Sequence, residues 1–567
     1  MSYMKPLRGI ILGLLMSGLV SAVATGQDPA FRAFWADAFS SGFKSTSQID
    51  LMVARAQTGN YNAIIAEVLA YHDTGSGGHG AYWNSDIVPK ATDISGDIDP
   101  LAYLVSRAHA VGIEVHAWIV PYRVCTSWPP NGNSLLSAHP EWLMVELADM
   151  GGGPATLDGK YVMDPGSPDV QEYLTNIVQE LVREYEIDGI NLDYIRYTQV
   201  DAGYPADESY TKSTLERFRE LEWYSGTPPP EGLTIWNNFR RRTIDEFVRR
   251  LRVEIPTITS NPRQPVRLTA DLFATGDAPA NFNNSQAYQL HQNWRFWMEQ
   301  GYLDAGIPMN YKREWLPPQD QWYRNWVDAA IGWRYDRQIF CGQANYLNPK
   351  ADSLAQMQYC LTAEADGTSN YSYTATADED MDGNPEADWT WYSFIAANLF
   401  TTPVTVPEMP WRDPGSADEG TLWGRAADPA TDEPIDGATI QVDGFGSVQT
   451  DGNGYYVHTL IPADPGGTVY DLRANKYLCS QVQVFGVVVL PGEVVRVDIN
   501  LCDSSIFGDM DEDGDVDAND LNLFAFCMQG PGSTYPSGHF CLLGDSDEDL
   551  DEDLVDFALF QQNYEEP

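Results

Sequence analysis

Positive charge is scarce in this sequence. Lysine and arginine number 34 against 81 aspartates and glutamates, a formal net charge of −47 over 567 residues. So acidic a chain is repelled by phosphate backbones and anionic lipid, which excludes nucleic acid and an anionic membrane surface as partners. Cysteine is sparse too, with seven residues, and none has the CxxC spacing of a zinc site. Cys479 with Cys502 and Cys527 with Cys541 are close enough in sequence to form local disulfides, and the odd count leaves at least one thiol free or partnered elsewhere. Long apolar runs are absent beyond the N-terminus, so no membrane span is expected there. The early run from Gly9 to Val20 follows Lys5 and Arg8 and precedes Ala22-Val23-Ala24. That order predicts a secretory signal peptide over 1–24, and with it a secreted or cell-surface protein.

Apolar residues are plentiful, at 43%, and the length predicts two to four domains. Between about Pro29 and Phe400, short apolar runs alternate with amphipathic stretches. The predicted strands are 31–37, 61–69, 112–119, 187–195, 266–273, 304–310, 337–344 and 368–374, with helical patterns such as 169–184 and 237–253 between them. Eight such units predict an α/β fold, a (β/α)8 barrel of the TIM type, spanning 27–402. A Pro-rich stretch at 403–420 reads as a linker, and 421–503 reads as a small β-sandwich from its short strands and its "DGATI", "DGFGS" and "TDGNGYY" turns.

The remainder, 506–567, is a small helical module built on two acidic loops. In "GDMDEDGDVDAND", Asp509, Asp511, Asp513, Asp517 and Asp520 occupy calcium-loop positions one, three, five, nine and twelve. Gly514 stands at the turn and Asp515 offers its carbonyl at position seven. Calcium takes six to eight hard oxygen ligands, which is the reason for such spacing. "GDSDEDLDEDLVD" repeats it with Asp545, Asp547, Asp549, Asp551, Asp553 and Asp556, but Leu550 replaces the turn glycine, which predicts weaker binding or a distorted loop. Two such loops, each opening a short helix, resemble a type I dockerin. That resemblance implies structural calcium and a cohesin-like protein or surface scaffold as partner. The 421–503 segment resembles the carboxypeptidase regulatory-like sandwich through its Pro-Ile-x-Gly-Ala turn at 434–438 and "TDGNGYY" at 450–456.

The barrel carries acids in places where a buried strand is expected. In "DGINLDYIRY", period-two alternation puts Asn191 and Asp193 on the inward face, beneath the C-terminal rim where barrel enzymes build their sites. Asp188, at the strand's start, reads as structural. Other predicted strand ends add Asp37, Glu67, His116 with Trp118, Asp271, and Asn310 with Tyr311. Acids, an imidazole and aromatics on one rim suit a polyhydroxylated ligand, and glycoside hydrolysis needs two carboxyl groups. The chitinase pattern Asp-Gly-x-Asp-x-Asp-x-Glu is excluded, because Ile195 stands where its acid belongs.

"GIEVHAWIVPYR" (112–123), "HPEWLM" (139–144), "DPGSPDVQEYL" (164–174), "DGINLDYIRY" (188–197), "NWRFWMEQGYLDAGIPMNY" (293–311) and "NSDIVPKA" (84–91) together resemble the glycosyl hydrolase-like 10 domain. The resemblance implies a secreted glycoside hydrolase barrel acting on a polysaccharide or cell-wall glycan, with no catalytic cofactor. His116, Trp118, Asp193, Arg196, Asn310 and Tyr311 match its motifs. Glu67-Val68-Leu69, Asp271 and Thr198 depart from it. The expected catalytic set is therefore Asp193 with Glu67 or Asp271, while Asp37, His116, Trp118, Asn191, Arg196, Asn310 and Tyr311 are expected to bind substrate. Two other readings stay open: a non-catalytic glycan-binding protein on the same barrel, and a calcium-dependent surface-assembly component.

Overall fold

The structure, a computed structural model, describes residues 28–476, 479, 481–502, 508–511, 516–530, 532–535, 539–545 and 550–564. The predicted signal peptide and Asp513, Asp515, Asp547 and Asp549 lie outside the described residues. Eight parallel strands close into a barrel: β1 (Phe31–Ala36), β2 (Ala63–Leu69), β3 (Glu114–Ile119), β4 (Gly189–Leu192), β5 (Arg267–Phe273), β6 (Ala305–Met309), β7 (Gln338–Ala344) and β8 (Gly367–Tyr371). Each falls within or against one predicted apolar run. The expected helices appear as Pro168–Glu184 and Thr234–Thr257. The first starts where Ser167 accepts from Val170 N–H and a proline follows at the first helical position, which needs no donor there.

Inside the barrel the side chains stack in tiers. At the base, Phe31 stacks on Phe340 with centroids 4.1 Å apart, and His116 meets Phe31 edge-on at 5.2 Å. Gly189 is required on this tier, since a Cβ there would come 2.2 Å from His116 Nδ1. One tier up, strand register aligns Glu67 with Trp118, Trp118 with Asn191, and Asn191 with Thr269. On the rim, the connection from β3 to β4 and the segment after β4 fold a four-stranded sheet from Arg123–Cys125, Leu143–Glu146, Tyr161–Met163 and Ala202–Pro205.

The stretch 403–420 is more than a spacer. It runs under the barrel's base, where Arg267 donates to Pro407 O at 2.7 Å and Asp304 accepts from Trp411 Nε1 at 2.8 Å and Arg412 Nε at 3.0 Å. Beyond it, two four-stranded sheets enclose their own core around Leu422, Ile440, Tyr456 and Leu472, as the turn signals predicted. The sandwich packs on the barrel through Arg217, which pairs with Asp436 at 2.6 Å and Glu246 at 3.2 Å. Gly437 allows that approach, since a Cβ there would come 2.5 Å from Leu221.

Both anticipated disulfides, Cys479–Cys502 and Cys527–Cys541, are formed, and Cys125, Cys341 and Cys360 are free and buried. No helix among the described residues is long and apolar enough to cross a membrane.

Candidate active site

The C-terminal mouth of the barrel holds a cavity of about 280 Å³. Glu67, Asp193 and Asp271 line it with Trp35, Trp118 and Tyr311, and Phe39, Arg123, Tyr194, Met309, Tyr346 and Tyr371 complete its wall. Three carboxyl groups from three different strands, β2, β4 and β5, thus converge. Alternation explains the convergence: Glu67 and Asp271 stand on the inward face of their strands, and Asp193 follows β4 two residues above Asn191.

The three carboxyls differ in environment. Glu67 is almost wholly buried and accepts from Ala38 N–H at 2.8 Å. Burial pushes its pKa up to about 8, and the charges of Asp193 and Asp37 add to the effect of burial against the Ala38 bond. Burial also raises Asp193, but Tyr194 N–H donates to it at 2.7 Å and the Arg123 and Arg196 guanidiniums favour its ionised form. Asp271 is raised well above the ordinary carboxyl range, first by burial and then by the Asp193 charge. Of the coupled pair Asp193 and Asp271, the cations lie with Asp193, so Asp193 carries the negative charge and Asp271 the proton. The Trp118 and Trp35 indoles lie close enough to favour ionisation of Asp193 and Asp271 respectively.

The predicted binding residues divide. Trp118 and Tyr311 line the cavity. Asn191 lies beneath it, fully buried, donating from Nδ2 to Asp271 Oδ2 at 3.0 Å. Asp37 is spent on a local turn, accepting from Phe39 N–H at 3.0 Å, and reaches Glu67 only through its charge. Arg196 faces an adjoining cavity. His116 and Asn310 are not brought to the mouth. His116 is one tier too low, 3.1 Å from Glu114 at the base. Asn310 turns outward and donates to Tyr323 O at 2.8 Å. Both shared a motif with true lining residues, but strand parity and depth separate them.

Sequence reasoning missed Arg123, Tyr194, Tyr346 and Tyr371. Arg123 and Tyr194 stood inside quoted motifs, and an arginine just past a strand end was the available signal. Tyr194 adopts φ 49°, which turns the chain away after the strand and leaves Asp193 at the mouth. Asp188, read as structural, ties the strand's base to His109 at 2.7 Å and Arg263 at 2.5 Å. A larger groove, about 1270 Å³, runs along the outer side of the helix Pro168–Glu184 and includes none of the predicted site residues.

In the C-terminal module the carboxylates of Asp509, Asp511 and Asp520 lie within 4.8 Å of one another, as do those of Asp551, Asp553 and Asp556. These oxygen-only sets fit a hard cation such as calcium. Asp517 and Asp553 each cap the following helix, with Asp520 and Asp556 closing the capping box. Asp545 accepts from Leu550 N–H at 2.9 Å, and Leu550 sits at φ 72°. The second loop therefore keeps its turn without the glycine, at the expense of backbone strain. A further set, Asp378, Asp380 and Asp382 ahead of Gly383, also brings its carboxylates within 4.8 Å, and its Asp-x-Asp-x-Asp-Gly spacing was legible in the sequence.

A closed parallel barrel with acids and aromatics gathered at its C-terminal mouth defines the glycoside-hydrolase type of (β/α)8 barrel. Within that class the chain belongs to the glycosyl hydrolase-like 10 family, whose model matches residues 30–360. It is similar to the glycosyl hydrolase DigH of Escherichia coli (strain K12), 29% identical over 245 residues that cover 41% of this chain and 52% of that protein. It is also similar to the glycosyl hydrolase YngK of Bacillus subtilis (strain 168), 21% identical over 346 residues, covering 56% and 59%. The chain thus spans about half the length of the curated relatives it matches. Among solved structures, the catalytic domain of beta-amylase from Paenibacillus polymyxa matches with a TM-score of 0.42 and 10% identity, over 65% of this chain and 99% of that one.

Proposed function

We propose that the protein is a secreted glycoside hydrolase that cleaves a polysaccharide or cell-wall glycan, with Glu67 as general acid and Asp193 as nucleophile or general base. The observation that carries this reading is the convergence of two carboxyls in unlike surroundings in one cavity: burial lifts Glu67 to about 8, whereas Asp193, also raised by burial, has the Tyr194 N–H and the Arg123 and Arg196 guanidiniums working for its ionised form. Protonating a leaving oxygen and attacking or activating water from the other side requires that division. Asp271 and Asn191 hold the floor. Trp118, Trp35 and Tyr311 offer ring faces to a sugar, and closure by aromatics strengthens every electrostatic contact inside.

In the same reading the C-terminal module is a dockerin-like unit. Calcium would be held by Asp509, Asp511 and Asp520 in one loop and by Asp551, Asp553 and Asp556 in the other, where it would supply folding energy, not chemistry. A cohesin-like protein or surface scaffold is its proposed partner. The sandwich is proposed as a regulatory-like spacer. The hydrolase assignment is tested by reducing-end release from a panel of purified glycans. Asp193→Asn is expected to abolish release with the circular-dichroism spectrum unchanged, and undiminished release by that variant would refute the assignment.

A further inference from the structure

A second cavity, about 260 Å³, adjoins the carboxylate site and shares Phe39, Arg123 and Tyr194 with it. A chain of sugars lying across the mouth therefore fills both. Its wall carries three cations, Arg123, Lys160 and Arg196. In a protein with 34 basic and 81 acidic residues, a cation ordinarily finds a carboxylate at once. Here Arg123 lies over the Tyr194 ring at 4.2 Å, and Arg196 lies over the same ring at 4.7 Å and donates to Tyr197 O at 3.2 Å. Neither forms an ion pair within 4.0 Å among the described residues.

The site also holds unused hydrogen-bonding groups. Arg196 is only 9% exposed, and its buried Nε has no hydrogen-bond partner. Tyr122 Oη and Thr198 Oγ1, in the same wall, are buried without a partner as well. Lys160 donates to Asp158 O at 3.0 Å and stands 3.8 Å from the exposed Asp158 carboxylate. Asp193 bears on both guanidiniums through its charge but bonds to neither, so the two forks keep donors to spare. Buried, unpartnered donors on guanidiniums that form no ion pair among the described residues call for an anionic acceptor. A neutral sugar would answer the hydroxyls and leave the guanidiniums unmatched.

We propose that this cavity is a subsite for the carboxylate of an acidic sugar, gripped by Arg123, Arg196 and Lys160, with the sugar ring against the exposed Phe39. The inference deepens the glycoside hydrolase reading and rests on it for the placing of the glycan across both cavities. A guanidinium presents a planar fork of donors that matches a carboxylate.

The test is equilibrium binding of the full chain, by titration calorimetry, to three matched oligosaccharides. One contains glucuronate, the second is its carboxyl-reduced form, and the third is that neutral form bearing an O-sulfate. Binding of the glucuronate compound about tenfold or more tighter than its reduced form is expected, from charge-assisted hydrogen bonds. The preference should shrink with added salt and fall to less than about threefold in Arg123→Gln, with a partial loss in Lys160→Gln. Arg123 and Lys160 are only half-buried, so these variants keep the test open if the buried Arg196→Gln fails to fold. Equal affinity for acid and reduced forms, binding of neither, preference for the sulfate, or an acid preference that survives in both variants would each overturn the proposal. Reducing-end release is scored separately. Acid-selective binding without release leaves this subsite standing and removes the hydrolase reading, whereas release from neutral glycans without acid preference does the reverse.

Discussion

Asn191 Nδ2 donates to Asp271 Oδ2 at 3.0 Å, while Asn191 Oδ1 accepts from Thr269 Oγ1 at 2.8 Å. The amide is thereby fixed in orientation from both ends, and it holds Asp271 upright beneath Asp193. This is how a buried strand accommodates two polar residues of its own and an acid of its neighbour. Asn191 finds both partners on the neighbouring strand, and Asp193 accepts from the next residue's N–H, Tyr194.

The pair also sets a role for Asp271. Its pKa is held up by burial and by the Asp193 charge, so the two share a proton rather than ionising together. Asp271→Asn removes the competitor and keeps a hydrogen-bond acceptor for Asn191. Because Asp271 is neutral while Asp193 ionises, the acidic limb of the pH–rate profile, which reports ionisation of Asp193, should stay close to the parent's or move to higher pH. Activity near neutrality should fall only modestly, about tenfold or less. Asp193→Asn, in contrast, should remove activity by about a thousandfold or more. Equal losses in the two variants would assign Asp271 a direct chemical role instead.

Glu67 gives a second, signed expectation. As the general acid it must be protonated, so activity should decline as pH rises through about 8. Stability carries the same signature. The folded state keeps the Glu67 proton up to about pH 8, while the unfolded chain releases it near 4.5, as an ordinary glutamate does. Folding stability should therefore be full below pH 4.5, fall between 4.5 and 8, and level off above. The loss from this one group is about 5 kcal/mol at most. Glu67→Gln can still accept from Ala38 N–H and does not titrate. It should be inactive yet melt at higher temperature than the parent above pH 8, as read by thermal denaturation across a pH series. A parent and variant with parallel melting curves over that range would contradict the burial argument.

Much of this architecture was legible before any coordinates. Most barrel strands lay in short apolar runs, as strands buried on both faces tend to, although β8, Gly-Thr-Ser-Asn-Tyr, is buried and polar. Asp193 and Asn191 were placed correctly by period-two alternation, which depends on nothing beyond the pleat. Depth was not legible. His116 shares its face with Trp118, yet two residues lower along a strand means the packed base and not the mouth. Asn310 and Tyr311 are adjacent, so parity sends them to opposite sides, and only the strand's exit geometry decides which side is inward. Arg123, Tyr346 and Tyr371 reach the site from loops and strand ends whose paths no periodicity encodes. The 403–420 stretch read as a spacer from its prolines, but its Trp411 and Arg412 were the sign that it packs.

The second acidic loop makes a prediction about strain. Leu550 occupies the turn position with φ 72°, a region in which a Cβ crowds the carbonyl. Glycine at that position would relieve about 1 kcal/mol. Leu550→Gly should raise the melting temperature of the C-terminal module by about 4–8 °C, measured on the full chain in calcium and again in chelator. The leucine is 45% exposed, so little apolar burial is lost in the exchange. A lower melting temperature in the variant would mean that the leucine's packing within the module, with the backbone freedom glycine adds to the unfolded chain, outweighs the strain.

The two loops also differ at the residue that follows position seven. Val516 fills it in the first loop and is buried in the module's core with Phe524 and Phe560. Glu552 fills it in the second, equally buried, and among the described residues neither of its carboxyl oxygens has a hydrogen-bond partner. Gly544 makes room for it, since a Cβ there would come 2.3 Å from Glu552 Oε1. A buried polar group without a partner costs about 1–3 kcal/mol, and nothing at the corresponding position of the first loop demands it. Glu552→Val should therefore stabilise the module by about that amount, as measured by urea unfolding at fixed calcium. Calcium affinity should change less than stability, because the ligand oxygens on either side, Asp551 and Asp553, are untouched. A destabilised variant would show instead that the Glu552 carboxyl makes a favourable interaction within the folded module.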